Sequence, residues 1–513
     1  MPDQPRSKRI MLVAQRPSDY VEMKRCAIAL SRCGYDMIIV YYISGAPRPD
    51  ELPVLEDMHR LKEAGEIADA FMFELTARSA FPLPSNFDNA EEQDAAASVP
   101  KLIRVSSYRK YAPRFLFRHR HTLIRFPLAI ARQIWLPVTF VRTLKAIDAT
   151  IAHLNLDAIV LPEDVVGLVT PLVVRAGHQH NLPSVIIPYT IANQSEAFQS
   201  LRGNGSYQLS RFANAIVGTL FPRWVMRRDG VALVRLPAPH IVGQELTRTA
   251  PPDPWMMNSG YADVIAVENE AMRDYYSAAG IPADKMRVVG AVYDDTLASY
   301  INAKEAEIAK LRAALGIETA RPILVIGGCP DQSTSCPRFD FTDMRAFCDR
   351  LAAGVREVAA DYEVVVRPHP NYPEMGSMLA NHGFLVSMID TARLVALSDA
   401  YIAFGSATIR WAISCGVPTI NYDVFGYDYD DFKTVAGVAN VSSIDAFEAA
   451  LIELRRHGDE YLNWKQRSET DAQRWGTLDG CSVERIVALI EEFCAARSGP
   501  RGTVGARAGQ EQS

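Results

Sequence analysis

Residues 362–375 read YEVVVRPHPNYPEM, and residues 397–423 read LSDAYIAFGSATIRWAISCGVPTINYD. Each stretch predicts a buried strand that ends abruptly, the first at Pro368-His369-Pro370 and the second at Gly405-Ser406-Ala407-Thr408. In open α/β sheets, ligands bind at the carboxyl ends of the parallel strands. We therefore expect both turns to contribute to one ligand site.

The residues of the two turns suit an anionic ligand. A Gly-Ser-x-Thr turn that opens a helix offers free backbone N–H groups and hydroxyls to an anion. A histidine held between two prolines is a stiff donor with one direction of approach. Together the turns predict a site for a phosphate-bearing ligand, and we expect a nucleotide diphosphate.

Composition bounds the class of protein. The chain has 513 residues, which is enough for two domains with separate cores. Its hydrophobic fraction of 48% and charged fraction of 22% are ordinary for a soluble globular protein. The net charge of −6 gives no support to nucleic-acid binding, so nucleic acid is not an expected partner.

Cysteine placement and the N-terminus indicate the compartment. The eight cysteines form no C-x-x-C pair, which favours free thiols in a reducing compartment and argues against a metal site. The charged residues 1–9 do not match a secretory signal, and no apolar run approaches the ~20 residues of a membrane span. We expect a cytoplasmic protein whose membrane contact is limited to the surface, as a peripheral protein on the inner membrane face.

Short apolar strands alternate with helical segments in two series. The predicted strands of the first series are Arg9–Ala14, Met37–Tyr42, Ala158–Leu161, Ser184–Pro188, Asp263–Val267 and Met286–Val289. Those of the second series are Ile323–Ile326, Glu363–Val366, Phe384–Val386, Ala400–Phe404 and Thr419–Tyr422. A β-α-β rhythm implies parallel strands with right-handed crossovers. The pattern predicts an α/β protein of two sequential domains, bridged by a charged helix over Tyr300–Leu315.

Two segments break this rhythm and are predicted to be helical insertions in the first domain. Residues 101–147 carry eleven Lys or Arg and no Asp or Glu, interleaved with aromatic residues. Residues 195–257 contain a second basic and aromatic cluster, centred on residues 221–228. Such composition suits an anionic membrane surface or an anionic lipid-linked acceptor. The alternative is a helical excursion whose aromatics pack on the domain while its arginines are solvated.

These features resemble a known family. Two sequential α/β domains, a bridging helix, the RPHP turn and the Gly-Ser-x-Thr turn are similar to those of the GT-B glycosyltransferases. The resemblance is strongest to bacterial capsule and surface-polysaccharide enzymes of the polysialyltransferase-like, Kdo-transferase-like and CDP-glycerol glycerophosphotransferase-like groups. Residues 262–295 also resemble the end of the first domain in a wider superfamily that includes the UDP-GlcNAc 2-epimerases.

The resemblance implies a GT-B fold, in which two Rossmann-like doubly wound domains face a cleft. Residues 1–298 would form the acceptor domain, residues 299–320 the bridging helix and linker, and residues 321–480 the nucleotide-donor domain. Residues 481–497 are predicted to form a C-terminal helix. Residues 498–513, rich in Gly, Arg and Gln, are predicted to be a disordered tail.

The resemblance also implies roles for the two turns. Histidine and arginine of the first turn would contact the donor phosphate or nucleotide, and hydroxyls of the second would hold the phosphates. The nucleotide- and phosphate-binding positions are then Arg367, His369, Pro370, Gly405, Ser406 and Thr408. In the alternative interpretation, His369 only stabilises a strand end and Ser406 is a plain helix N-cap.

Inverting glycosyl transfer needs a base that deprotonates the acceptor hydroxyl. Sialyltransferase-like enzymes carry an acidic D/E-D/E-G motif in the first domain, and its place here falls on Glu163 and Asp164, after the strand AIVL. The glycine comes two positions late, at Gly167, so the match is incomplete. In the alternative interpretation, Asp164 only caps the following helix, which is predicted from about Val166.

These observations predict an inverting, metal-independent glycosyltransferase that needs no cofactor. A nucleotide-sugar donor and a glycan or lipid-linked acceptor of the bacterial surface are its expected partners. One alternative keeps the fold but transfers a polyol phosphate, as CDP-glycerol-type enzymes do. The others are a hydrolysing 2-epimerase and a non-catalytic sugar-nucleotide-binding or scaffold protein of polysaccharide assembly.

Overall fold

The computed structural model describes residues 7–75, 79–82, 120–188, 194–334, 336–429, 431–455 and 458–498. Within these ranges the strands are β1 (Arg9–Ala14), β2 (Asp36–Ile43), β3 (Asp69–Glu74), β4 (Ser79–Pro82), β5 (Ala158–Leu161), β6 (Ser184–Ile186), β7 (Val225–Arg228), β8 (Val231–Val234), β9 (Val264–Val267), β10 (Met286–Val288), β11 (Ile323–Gly327), β12 (Glu363–Arg367), β13 (Leu385–Val386), β14 (Ala400–Ala403), β15 (Thr419–Tyr422) and β16 (Val438–Val441).

The α-helices of the same ranges are α1 (Pro17–Arg32), α2 (Leu52–Glu63), α3 (Arg120–Leu154), α4 (Thr170–Gln179), α5 (Gln194–Arg202), α6 (Phe212–Leu220), α7 (Ala238–Thr247), α8 (Glu270–Ala278), α9 (Asp294–Asn302), α10 (Lys304–Leu315), α11 (Met344–Arg356), α12 (Glu374–Ala380), α13 (Thr391–Ala396), α14 (Ile409–Ser414), α15 (Ile444–Glu453), α16 (Asp459–Trp475) and α17 (Ser482–Ser498). Among these helices, none is long and apolar enough to cross a membrane.

The first domain is built on an eight-stranded sheet with the order β10-β9-β6-β5-β1-β2-β3-β4. Its strands pair in parallel, except β4, which is antiparallel to β3. Along β1, Met11 and Val13 enter the core on one face, and Leu12 enters the core on the other. Burial on both faces explains why this strand is a continuous apolar run.

The second domain is built on a six-stranded sheet with the order β13-β12-β11-β14-β15-β16, parallel throughout. The chain starts at the central strand β11, builds outward to β13, and then crosses back to β14. This is the doubly wound order, and ligands of such sheets bind where the strand order reverses. The predicted α/β fold of two Rossmann-like domains is therefore confirmed.

Three predicted elements differ in the structure. The helix after β5 begins at Thr170 instead of Val166, because residues 163–169 form a loop at the sheet edge and Pro171 lies in the first turn of α4. The bridging helix is two helices, α9 and α10, which meet at Ala303. The second insertion, predicted to be helical, also contains the antiparallel hairpin β7–β8, whose tight turn is formed by Asp229 and Gly230, both with positive φ. The first insertion is described only from Arg120, so residues 101–119, like the tail from residue 499, lie outside the described residues.

The carboxyl edges of the two sheets face each other across the domain boundary. Glu268 directly follows β9 of the first domain, and it pairs with Arg410 of α14 in the second. Helix α17 returns to the first domain, where Leu489 and Ile490 join the core around β1. The carboxylate of Asp295 in α9 accepts hydrogen bonds from the first N–H groups of α17, at 2.8 and 2.9 Å.

Candidate functional site

A cavity of about 350 Å³ lies at the carboxyl edge of the second sheet. The loops after β11, β12, β14 and β15 line it, and α5 of the first domain closes one side. The described lining residues are Glu196, Gly328, Cys329, Pro330, Gln332, His369, Phe404, Gly405, Ser406, Ala407, Tyr422, Asp423, Val424, Phe425, Tyr427 and Tyr429. The two turns singled out from the sequence therefore share one cavity.

His369 lines this cavity as a neutral hydrogen-bond donor. Its Nδ1 atom accepts a hydrogen bond of 3.1 Å from the backbone N–H of Asn371. The ring hydrogen of the neutral imidazole is then carried by Nε2. Burial and the nearby charge of Arg367 both lower the pKa of His369, which favours the neutral ring. The turn thus presents one directed N–H group to a ligand.

The turn after β11 lies directly against the turn that carries His369. The N–H of Gly328 donates to the carbonyl oxygen of Arg367 at 2.8 Å. A Cβ atom at Gly328 would come within 2.7 Å of the His369 backbone nitrogen and 3.1 Å of the Pro368 Cα atom. Only glycine permits this approach, so Gly328 helps to set the position of His369.

Ser406 ends a chain of three hydroxyls. The Tyr401 hydroxyl lies 2.6 Å from Thr408 Oγ1, which lies 2.8 Å from Ser406 Oγ. Burial raises the pKa of Tyr401 to about 12, so its hydroxyl stays protonated. If Tyr401 donates to Thr408 and Thr408 donates to Ser406, the hydroxyl hydrogen of Ser406 is left for a ligand oxygen. Thr408 itself does not line the cavity and acts behind Ser406.

Gly405 shapes the second turn. Its φ of +64° lies in the left-handed region that glycine adopts at little cost. Its N–H donates to Asn421 Oδ1 at 2.9 Å, and Asn421 donates in turn to Asn440 at 2.9 Å. Because the N–H of Gly405 already has a partner within the protein, this residue contributes the shape of the turn instead of a free donor.

Stacked tyrosines form one wall of the cavity. The rings of Tyr427 and Tyr429 are nearly parallel, with 5.1 Å between centroids and 8° between planes. The Asp423 carboxylate holds their loop by accepting hydrogen bonds from the N–H groups of Tyr427 and Asp428, at 2.9 and 2.8 Å. Flat aromatic surfaces of this kind suit a nucleobase.

Arg367 and Pro370 lie outside the cavity. The Arg367 guanidinium donates from Nε to the carbonyl of Ile389 at 3.0 Å and from Nη1 to the carbonyl of Pro368 at 2.8 Å. It therefore ties its own turn to the loop after β13. Pro370 is exposed and does not line the cavity. Among the described lining residues none is Lys or Arg, so a phosphate in this cavity would be held by neutral donors.

Glu163 lies at the carboxyl edge of the first sheet and is 1% exposed. Its Oε1 atom pairs with Arg16, which follows β1. Burial raises the pKa of Glu163 to about 7, against the opposing effect of Arg16. Within the described part of the chain, its Oε2 atom has no hydrogen-bond partner. A carboxylate that titrates near neutrality and keeps one oxygen unengaged is suited to general-base chemistry.

Asp164 has a different environment, although it is adjacent in sequence. Its backbone N–H donates to Asn258 Oδ1 at 2.8 Å, and its side chain packs so closely on Gly260 that a Cβ there would overlap its Oδ2 atom. Burial raises the pKa of Asp164 to about 6, while nearby Lys285 lowers it. The proposed capping role is wrong, because the N-cap of α4 is Val169.

A second cavity, of about 600 Å³, lies in the first domain and was not predicted. The described residues that line it are Gln15, Ser44, Leu75, Leu136, Thr139, Phe140, Arg142, Thr143, Gly167, Leu168, Val169, Leu172 and His240. The cavity is largely apolar, and its lining residue Gln15 is the neighbour in sequence of Arg16, the partner of Glu163. Neither Arg16 nor Glu163 is among the described lining residues. Phe140, from the basic and aromatic insertion, packs on Gly243 of α7.

Comparison with known proteins identifies the fold class. The sequence matches no protein-family model and no curated protein. Among solved structures, CalG4, the calicheamicin glycosyltransferase, is similar with a TM-score of 0.50 and 13% identity, over 96% of this chain and 100% of that chain. This similarity establishes the fold alone: the chain has the GT-B architecture of two Rossmann-like domains.

Two further structures give slightly lower scores. A variant of the wall teichoic acid polymerase TagF has a TM-score of 0.49 and 11% identity, over 96% of this chain and 90% of that chain. The UDP-GlcNAc 2-epimerase from Neisseria meningitidis, bound to UDP-GlcNAc, has a TM-score of 0.47 and 11% identity, over 95% of this chain and 100% of that chain.

Sequence reasoning missed several residues of the site. Arg16 is the second residue after the first strand, just as Glu163 is the second residue after β5, so the positional rule that singled out Glu163 could also have found it. Tyr401 lies within a strand, and nothing in the sequence signals that its hydroxyl reaches Thr408. Tyr429 lies in a loop rich in Tyr and Asp, where a stacked pair cannot be told from a solvated surface.

Proposed function

We propose that this chain is a glycosyltransferase that uses a nucleotide-activated sugar as donor and extends a bacterial surface glycan by metal-independent inversion. The observation that carries the proposal is the cavity of the second domain, in which directed neutral donors stand beside a stacked aromatic wall. The facing domain supplies a buried carboxylate that titrates near neutrality. A nucleotide diphosphate and a base that activates a hydroxyl would require these features together.

The donor would bind with its base against Tyr427 and Tyr429. Its phosphate oxygens would accept hydrogen bonds from His369 Nε2 and from the Ser406 hydroxyl. Both donors are held by internal hydrogen bonds before a ligand arrives, which lowers the cost of ordering them on binding. Neutral donors stabilise the negative charge of a departing nucleotide without a cation in the cavity.

The transfer step would be a single displacement. Glu163 removes the proton of the acceptor hydroxyl as its oxygen attacks the anomeric carbon of the donor sugar. The bond between that carbon and the nucleotide phosphate breaks on the opposite side, and the nucleotide leaves with the electron pair. The proton is then on Glu163, and the configuration of the anomeric carbon is inverted.

The acceptor would occupy the first domain. The larger cavity of that domain, which Gln15 lines, is walled by apolar side chains such as Leu136, Phe140 and Leu172. An acceptor with an apolar anchor, such as a lipid-linked glycan, would fit its chemistry. This part of the proposal also assigns the enzyme to the cytoplasmic face of the inner membrane.

The proposal is tested by separating donor binding from transfer. Glu163→Gln removes the base but keeps the size of the side chain and leaves the donor cavity intact. We expect sugar transfer to fall by about 10²–10⁴-fold while nucleotide affinity stays within twofold. The matched control is Glu305→Gln, an exposed glutamate of α10, which should leave both quantities unchanged. Retained transfer in Glu163→Gln would assign the base elsewhere, and nucleotide binding without transfer in the parent chain would favour the scaffold alternative.

A further inference from the structure

Helix α6 of the first domain presents an apolar stripe to solvent. Phe212 is 83% exposed, Ile216 is 46% exposed and Leu220 is 65% exposed. They are spaced four residues apart, so they lie on one face of the helix. Contiguous large apolar side chains at this level of exposure mark interaction surfaces more often than ordinary solvent-facing helices.

The rest of α6 is firmly packed, so the stripe is held in place without being needed for the core. Val217, on a different face of the helix, packs with Trp224, Val234 and Ile241 in a small core of its own. Asn214 donates to the carbonyl oxygens of Ser206 and Gln208, each at 2.9 Å. The packing of α6 therefore does not depend on Phe212, Ile216 and Leu220, whose side chains remain available for contact with a partner.

Positive charge is concentrated around the stripe. Residues 197–228 contain five arginines and no Asp or Glu, although the whole chain carries a net charge of −6. Arg211 immediately precedes the stripe, and the exposed Arg227 lies in the β7–β8 hairpin that follows it. Among the described residues, neither has an acidic partner within ion-pair distance. The other three arginines do have one: Arg223 pairs with Glu245 at 2.8 Å, and Arg202 and Arg228 lie 3.8 and 3.9 Å from Asp229.

We propose that the α6 stripe and its flanking arginines form a docking surface for an anionic lipid bilayer. A short helix with bulky apolar residues on one face and unpaired arginines in the segments before and after it has the composition of elements that lie in the interfacial region of a membrane. A second copy of the chain is a poorer occupant, because a two-fold contact would bring the arginines of both copies together. Charge complementarity therefore favours the bilayer.

The position of the surface connects it to the proposed acceptor site. Helix α6 packs against α7, and His240 of α7 lines the apolar cavity of the first domain. Docking through α6 would hold that cavity one helix away from the lipid surface. Only this connection rests on the proposed function, because membrane binding itself requires neither donor nor transfer.

Vesicle co-sedimentation of the full chain tests the docking surface without any transfer assay. The probes are phosphatidylcholine vesicles with and without about one third phosphatidylglycerol. We expect binding to the anionic vesicles only, weakened at least about tenfold in the triple variant Phe212→Ser/Ile216→Ser/Leu220→Ser. Arg211→Ala/Arg227→Ala should weaken binding and reduce its dependence on salt. Leu462→Ser, which truncates a leucine of α16 that is 63% exposed, is the matched control and should bind as the parent does.

Thermal melting of each variant shows whether weaker binding comes from the changed surface or from unfolding. Because the changed residues are exposed, the melting temperature of each variant should stay within about 2 °C of that of the parent chain. Equal binding to vesicles with and without the anionic lipid, no binding to either, or equal binding by the triple variant would overturn the proposal. So would a concentration-dependent dimer that the triple variant abolishes, which would assign the stripe to a second copy of the chain.

Discussion

Arg410 of the second domain forms a buried ion pair with Glu268 of the first, and each side chain is 2% exposed. The Arg410 guanidinium also lies 4.8 Å from the ring centroid of Tyr293, at the start of the bridging helices. One cation thus contacts both the first domain and the linker. We therefore expect this contact to hold the orientation in which the two sheet edges face each other.

Removing one partner of this pair should destabilise the chain strongly. Arg410→Leu leaves Glu268 buried without its cation, and we expect the free energy of unfolding to fall by about 3–5 kcal/mol. The double variant Arg410→Leu/Glu268→Leu should recover part of that loss, because no unpaired charge remains. Urea unfolding measures the free energy of unfolding of the single and the double variant.

The exposed pair of Arg350 and Glu448 is the control for this experiment. Its side chains are 44% and 29% exposed, and Arg350→Leu should cost less than about 1 kcal/mol. A loss of that small size in Arg410→Leu would show that the interdomain pair does not fix the domain arrangement.

The hydroxyl chain behind Ser406 should affect ligand binding as well as stability. In the orientation that leaves the Ser406 hydrogen for a ligand, Tyr401 donates to Thr408. Tyr401→Phe removes that donor, so the Ser406 hydrogen would be drawn back toward Thr408. We expect a stability loss of about 1 kcal/mol and nucleotide binding weaker by about 3- to 10-fold, as measured by calorimetry.

Tyr362→Phe is the matched control for the hydroxyl chain. Tyr362 lies in the same domain, is buried, and donates to the carbonyl oxygen of Leu454 at 2.6 Å, away from the cavity. It should lose similar stability and keep full nucleotide affinity. Equal nucleotide affinities in the two variants would show that the three hydroxyls of Tyr401, Thr408 and Ser406 have a purely structural role.

The contact between Gly328 and the histidine turn gives a backbone test of the donor cavity. In Gly328→Ala the new Cβ would lie 2.7 Å from the His369 backbone nitrogen, so the turn must shift. We expect nucleotide affinity to fall by about tenfold and stability by about 1–3 kcal/mol. Gly203→Ala, where no atom lies within 4 Å of the added Cβ, should change neither. An unchanged affinity in Gly328→Ala would mean that this turn does not contact the nucleotide.

The raised pKa of Glu163 sets the expected pH dependence of transfer. Because the base must be ionised and its pKa is about 7, the rate should rise about tenfold per pH unit below 7 and level off above it. Initial rates from pH 5 to pH 9 measure this profile. A flat profile, or one that falls across this range, would exclude Glu163 as the base.

The same titration predicts a stability effect with a fixed sign. Burial raises the pKa of Glu163 above its ordinary value of 4.5, so the folded chain holds this proton more tightly than the unfolded chain does. The contribution of the protonated carboxyl to the free energy of unfolding is complete below pH 4.5 and is lost as the pH rises through about 7. Glu163→Gln should therefore raise the melting temperature relative to the parent more at pH 8 than at pH 5. A larger gain at pH 5 would contradict the assigned pKa shift.

The sequence predicted eleven of the sixteen described strands, and both turns of the cavity in the second domain, because these depend on local patterns. Apolar runs and residues such as Pro368 and Gly405 act within a few positions of themselves. The partners of the site are remote: Arg16 meets Glu163 across 147 positions, and Arg410 meets Glu268 across 142. Such pairings depend on the sheet order, and no local pattern specifies them. The apolar cavity was missed for the same reason, since its described lining residues come from six separate segments.

The most direct test of the account is a thermal-shift comparison of the parent chain and His369→Ala against CMP, CDP, UDP and GDP. A ligand that binds only the folded chain must raise the melting temperature. We predict that nucleotides of one base class do so, and that His369→Ala loses the effect. His382→Ala, which removes a histidine that pairs with Asp349 elsewhere in the second domain, should keep it. No stabilisation by any nucleotide, or equal stabilisation of His369→Ala, would contradict the donor site.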